Sequence, residues 1–216
     1  MFRFPLFFAV SILGVVTGLL PAQTTRDTIP HEKLEKPFYV AGYLVRTNNA
    51  NEAGGKSKIG PLWQRFMQGD LGAQIPNRTD AALTVAYSNY AGDENGDYDY
   101  LLGARVSSTE KLPPGMSWRK VEPATYAIIL TDKGQMPGVL QAAWARIWKM
   151  TATDLGGKRA FVTDYEIYDR RSANPQNAQV EIHIGLAPAP RWIAYFIAPG
   201  REPSFAPPNA AESRVR

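Results

Sequence analysis

Apolar side chains recur at helical spacing at Ile59, Leu62, Trp63, Phe66 and Met67, and again at Leu140, Ala143, Trp144, Ile147 and Trp148. Each stripe predicts an amphipathic helix with one face against a core. Every position of the second stripe lies 81 residues after its counterpart in the first, and the same shift carries Tyr87 onto Tyr168. Around the helices, runs rich in β-branched and aromatic residues read as strands over 38–47, 83–91, 98–107, 118–131, 161–169 and 179–186. The order is strand, helix, strand, strand, twice over. This predicts an α+β fold made of a duplicated β-α-β-β unit, with a ligand cleft between two pseudo-symmetric copies.

Turn chemistry punctuates the same pattern. Ser57 is placed to cap the first helix, and Gly69 to close it in a left-handed conformation. Asn95-Gly96 separates the first strand pair and predicts a hairpin. Leu112-Pro113-Pro114-Gly115 divides the two copies. Pro123 interrupts the strand run that follows, which suits an edge or a bulge. Pro137 fits the first turn of the second helix and Gly156-Gly157 its stop.

Composition adds boundaries. Arg3 precedes an apolar run over 4–20, followed by Pro21-Ala22 and a polar segment, so residues 1–22 read as a secretory signal cut near Ala22. The alternative is an uncleaved anchor over 4–20, which as a helix would span roughly 25 Å. The resulting expectation is an exported protein, periplasmic in a bacterium, touching a membrane only through that segment. Residues 23–37 read as a tether, 38–187 as the folded domain, and 188–216 as a Pro/Ala-rich tail with one apolar stretch at 192–198. The formal charge of +4 suggests a polyanion partner, but residues 38–187 hold 16 Lys and Arg against 15 Asp and Glu. The excess lies in the ends, so no nucleic-acid surface is expected. The absence of cysteine excludes disulfides, thiolate metal sites and cysteine nucleophiles together.

The candidate chemistry rests on an asymmetry. In the 81-residue register Glu166 stands opposite Val85, so one copy carries an acid that the other lacks. Strand alternation groups Glu166 with Asp164 and Tyr168, and Tyr165 with Thr163 and Ile167. The more apolar second group is expected under the helices, and Glu166 in the cleft. A carboxylate among rings can hold a cation by charge while the rings hold it by cation–π attraction. The same group can act as a general acid or base when burial raises its pKa. Tyr168, Tyr87, Tyr126 and Trp63 are the expected ring surfaces; Trp144 and Trp148 read as core. The acidic cluster Asp93, Glu94, Asp97 and Asp99 lacks the spacing of a calcium loop and reads as a solvated hairpin tip. His31 and His183 lie far apart, so neither a metal nor a cofactor is expected.

Several short motifs then occur in a matching order. They are Val40-Ala41-Gly42 leading to Arg46-Thr47, Ile59-Gly60-Pro61-Leu62-Trp63, Tyr98-Asp99-Tyr100 with Gly103, Pro123-Ala124-Thr125-Tyr126-Ala127, and Asp164-Tyr165-Glu166-Ile167-Tyr168. Over 38–186 the chain resembles the gyrase-inhibitor-like small-molecule-binding family, the effector-binding domain of AraC-type and multidrug-sensing regulators. The resemblance implies a duplicated unit with a ligand cleft, and a glutamate, matched here by Glu166, that contacts cationic or aromatic ligands. It also permits a second reading, since some members are similar to hydrolases that open strained rings in xenobiotics with the corresponding glutamate. In that case Glu166 would be catalytic. The segment before residue 38 reads as signal and tether, not as a helix-turn-helix module, so the expectation is an exported, free-standing small-molecule-binding protein.

Overall fold

A computed structural model describes residues 28–188. The predicted export segment and the 192–198 stretch lie outside the described residues. Among those described, β1 (His31–Lys33), β2 (Phe38–Thr47), α1 (Asn49–Ala53), α2 (Ile59–Gln68), β3 (Leu83–Ser88), β4 (Tyr98–Val106), β5 (Ser117–Val121), β6 (Thr125–Leu130), α3 (Gly138–Ile147), α4 (Ala152–Leu155), β7 (Thr163–Tyr168) and β8 (Glu181–Leu186) follow in order. The strands form one sheet in the order β1-β6-β8-β7-β3-β4-β2-β5, antiparallel throughout. The fold is α+β: this sheet, with the main helices against one of its faces.

The order β6-β8-β7 on one side of the sheet's centre mirrors β2-β4-β3 on the other, and each set runs strand, helix, strand, strand along the chain. The halves meet where β3 pairs with β7, in a register that sets Val85 opposite Glu166, Tyr87 opposite Asp164 and Leu83 opposite Tyr168.

The helices pack as their stripes dictate. α2 buries Leu62 and Phe66, and α3 buries Ala143, Trp144 and Ile147. Each large side chain so buried contributes about 1.5–3 kcal/mol. The N-terminus of α2 is not capped by Ser57. Instead the Glu52 carboxylate, carried by α1, accepts from the backbone N–H groups of Lys58 and Ile59 at 3.0 and 3.2 Å, while the Ser57 hydroxyl donates to the same carboxylate at 2.6 Å. A carboxylate satisfies two orphan donors and opposes the positive end of the helix at once, which one hydroxyl cannot do. Gly69 is not left-handed either: its φ is −90°, and Asp70 takes the positive φ of 46°.

Pro123 separates two strands instead of bending one. β5 leaves to the far edge against β2, and β6 pairs with β8 and β1. Residues 31–33, expected in the tether, form the edge strand β1. The second helical stripe ends at Ile147, and Gly156, with φ 72°, closes the separate short helix α4. Trp148, read as core, is 42% exposed because it falls at the C-cap of α3, past the buried face.

The two faces of the sheet carry different apolar layers. Val85, Tyr87, Tyr100, Leu102, Ile182 and Tyr168 pack with Leu62, Phe66, Trp144 and Ile147 on the helix side. Val40, Ala86, Leu101, Val121, Tyr126 and Tyr165 pack together on the other. Phe38 of β2 meets Tyr165 of β7 with ring centroids 5.3 Å apart, although two strands lie between them. In a flat sheet those strands would be about 14 Å apart, so the sheet bends around this second face.

Candidate functional site

β7 presents alternate residues to alternate faces, and its Glu166 faces the helices, not away from them. This reverses the expected assignment: Tyr165, Phe38 and Tyr126 fill the opposite face because they close it against itself, which frees the helix face for Glu166 and Tyr168.

Glu166 is fully buried, at 0% exposure. The Tyr87 hydroxyl donates to its Oε1 at 2.8 Å, the Trp144 indole N–H donates to the same oxygen at 2.6 Å, and the Tyr168 hydroxyl donates to Oε2 at 2.7 Å. Each donor comes from a different element: β3, α3 and β7. No Lys, Arg or His forms an ion pair with Glu166 among the described residues. Burial pushes its pKa above the ordinary 4.5, and the hydrogen bonds from Tyr168, Trp144 and Tyr87 oppose that shift without cancelling it. Tyr87 and Tyr168 are held well above the usual phenol value, first by burial and then by the neighbouring Glu166 charge, so both remain donors.

Aromatic rings surround the carboxylate. Tyr87 lies 5.0 Å from Trp144 and 5.1 Å from Tyr100 between centroids, and Trp63 lies 5.0 Å from Tyr168. The Trp63 indole N–H donates to the Tyr100 hydroxyl at 2.7 Å. Glu166, Tyr168, Tyr87 and Trp63 are therefore brought together. Tyr126 is not: it lies on the other face, against Tyr165, with its hydroxyl donating to the Glu122 carbonyl at 3.0 Å. The split at Pro123 sets the alternation of β6 so that Ala127 and Ile129 take the helix side.

Trp144 is absent from the expected ring surfaces, yet it is one of the donors to Glu166. Its spacing in the stripe marks a core position, and it is indeed buried, but the buried indole also needs an acceptor and finds Glu166. The offset holds a signal, since Trp144 is the counterpart of Trp63, an expected ring surface of the cleft. Asp99 also departs from expectation: it is buried within β4 and bridges Arg46 at 3.1 Å and Arg119 at 2.6 Å, apart from any solvated tip. These cations hold its pKa below the ordinary 3.8 against the opposing effect of burial. His183 stacks on Tyr165 at 4.2 Å and contacts Glu181 at 2.8 Å and Glu32 at 3.3 Å on the second face.

The chain matches one family model and is similar to several known proteins and solved structures. The family model described as Cass2, integron-associated effector binding protein, matches residues 33–186. YobU of Bacillus subtilis, named as a transcriptional regulator, is 29% identical over 147 residues, 68% of this chain and 90% of YobU. The transcriptional regulator BrlR of Pseudomonas aeruginosa is 30% identical over 130 residues, 59% of this chain and 46% of BrlR, so the match spans under half of that regulator. Among solved structures, the integron cassette protein VCH_CASS2 from the mobile metagenome of Vibrio cholerae superposes with a TM-score of 0.58 at 30% identity, covering 74% of this chain and 97% of that one. SAV2435 bound to tetraphenylphosphonium superposes with a TM-score of 0.59, covering 73% and 93%; at 13% identity it shows a shared fold. The chain belongs to the integron-associated effector-binding proteins of the gyrase-inhibitor-like fold.

Proposed function

We propose that this effector-binding domain takes a cationic, aromatic small molecule between α2, α3 and the β3/β7 seam, with Glu166 as the counter-charge. The observation that carries the reading is a carboxylate at 0% exposure with three neutral donors and no paired cation among the described residues. An ionised carboxylate in such a place is costly, and a bound cation offsets that cost. The rings of Tyr87, Tyr168, Trp63 and Trp144 provide the quadrupoles and the apolar area that a lipophilic cation needs. Both carboxylate oxygens are already held by donors, an arrangement that suits a fixed counter-ion better than a base with a free oxygen aimed at water.

Trp63 is half-buried, while Trp144, Tyr87 and Tyr168 are buried, so Trp63 is the ring whose displacement opens the way to Glu166. The relative SAV2435 was solved with tetraphenylphosphonium, a cation of this class, which makes that compound the natural first probe. The reading includes a duplicated unit, supported by the 81-residue offset and by the pairing of Val85 with Glu166 at the seam. It also includes export, supported by the composition of residues 1–22.

Calorimetry with tetraphenylphosphonium tests the site. Glu166→Gln should weaken binding at least tenfold, about 1.4 kcal/mol, with the melting transition retained. Equal affinity in the two proteins would refute the assignment.

A further inference from the structure

A second charged group borders the carboxylate. Asp164 precedes Glu166 by two residues in β7, on the same face, and is itself 0% exposed. It pairs with Arg159, whose Nη2 lies 2.6 Å from Oδ2; the Tyr90 hydroxyl donates to that oxygen at 2.7 Å and the Gly185 backbone N–H to Oδ1 at 2.8 Å. The Arg159 side chain is 10% exposed. Its guanidinium lies 4.4 Å from the Phe161 ring centroid, 5.6 Å from that of Trp144 and 6.0 Å from that of Tyr90. Trp144 is thus shared: its N–H holds Glu166 and its ring meets Arg159. Phe161 reaches the guanidinium from a backbone with φ 52°, a conformation uncommon outside glycine and found at ligand clamps.

The ion pair does not use all of the arginine. Its Nε is enclosed and has no hydrogen-bond partner among the described residues. An enclosed N–H of a cation without an acceptor is costly, and such groups call for an explanation. The other half has no equivalent group. Counting back 81 positions, Arg159 corresponds to Arg78, which donates to the carbonyls of Gly72, Asp80, Ala81 and Ala82, and Asp164 corresponds to Leu83.

Resting on the cation reading above, we propose that the site is bipartite: Glu166 holds the cationic centre of the ligand, and the Nε–H of Arg159 holds a neutral acceptor, such as an amide or ester carbonyl, on the same molecule. The charge balance selects a neutral acceptor over a carboxylate. Glu166 and Asp164 are two negative charges and Arg159 one positive, so a monocation brings the site to zero, whereas a zwitterion leaves one buried negative charge uncompensated. Trp144 links the two groups, its N–H 2.6 Å from Glu166 and its ring centroid 5.6 Å from the Arg159 guanidinium, so cation and acceptor fit the span of one substituted aromatic ring.

Three matched probes decide it in calorimetry with the full chain: tetraphenylphosphonium, its 4-carbamoyl derivative and its 4-carboxylate derivative. The carbamoyl compound should bind the natural protein about tenfold tighter than the parent, as a hydrogen bond from a charged donor implies, and the carboxylate more weakly than the carbamoyl compound. In the double variant Arg159→Met/Asp164→Leu, which removes both charges together, parent and carbamoyl compound should bind equally. Equal affinity of these two for the natural protein, a gain that persists in the double variant, or a tightest carboxylate overturns the inference while leaving the Glu166 reading in place. Failure of all three probes to bind overturns both.

Discussion

With Glu166 as the proposed counter-charge, binding and stability should respond to pH in opposite senses. Its folded pKa lies above the ordinary 4.5, so the proton is held more tightly in the folded chain than in the unfolded one. The contribution to stability is full below 4.5 and is lost as pH rises through the folded value, the reverse of a salt-bridged carboxylate. Cation binding requires the ionised form and should therefore strengthen as pH rises through the same value. Titrating tetraphenylphosphonium affinity against pH should give a sigmoid in the natural protein and a flat line in Glu166→Gln. Tyr168→Phe removes a donor to Oε2 and should move the midpoint upward by about one pH unit, since a hydrogen bond to a charge is worth roughly 1.5 kcal/mol. An unmoved midpoint would mean that this hydroxyl does not support the charge. At this scale the sequence disclosed the acid and the two tyrosines, because the offset paired Tyr87 with Tyr168 and left Glu166 unmatched. It hid Trp144, since spacing in a stripe reports burial and says nothing of where an indole N–H finds its acceptor.

The elements were legible wherever local chemistry decides them. Both helical stripes, the hairpin around Asn95-Gly96 and the β7/β8 pair stand close to their expected bounds. What local chemistry could not reveal was partner choice. The run broken by Pro123 gives two strands that separate, β5 to one edge of the sheet and β6 between β1 and β8 near the other, and Tyr126 lies on the face opposite to the expected one. Strand contact also sets a steric limit. Gly42 and Gly103 face each other across β2 and β4, and a Cβ at Gly103 would press into the Ala41 carbonyl, just as one at Gly42 would press into that of Leu102. These are backbone atoms that cannot rotate aside. Gly103→Ala should lower stability by at least about 2 kcal/mol in urea denaturation, despite the gain in strand preference that alanine brings. A cost below about 0.5 kcal/mol would show that the two strands can separate freely.

The whole molecule places Glu166, a buried carboxylate without a paired cation among the described residues, at the β3/β7 seam, where the proposed halves would join. If the halves are equivalent, the acid can be moved. In Val85→Glu/Glu166→Val the new carboxylate would have Tyr87 two residues along its own strand, with Tyr168 and Trp63 standing where Tyr87 and Trp144 now stand. The double variant should fold with a melting temperature within about 5 °C of the natural protein, close to 1–2 kcal/mol for a domain of this size, and should bind tetraphenylphosphonium within about tenfold. Collapse of the fold would show that the halves have diverged beyond exchange. The β3/β7 register carries a further consequence for ancestry. A homodimer made from one half, with the acid at this position, would set two identical carboxylates side by side, with Cβ atoms roughly 5 Å apart, and each would repel its twin. If the halves arose by duplication, joining them in one chain lets one position change without the other, and covalent fusion is the step that makes an acid unmatched by its symmetry mate attainable at the dyad.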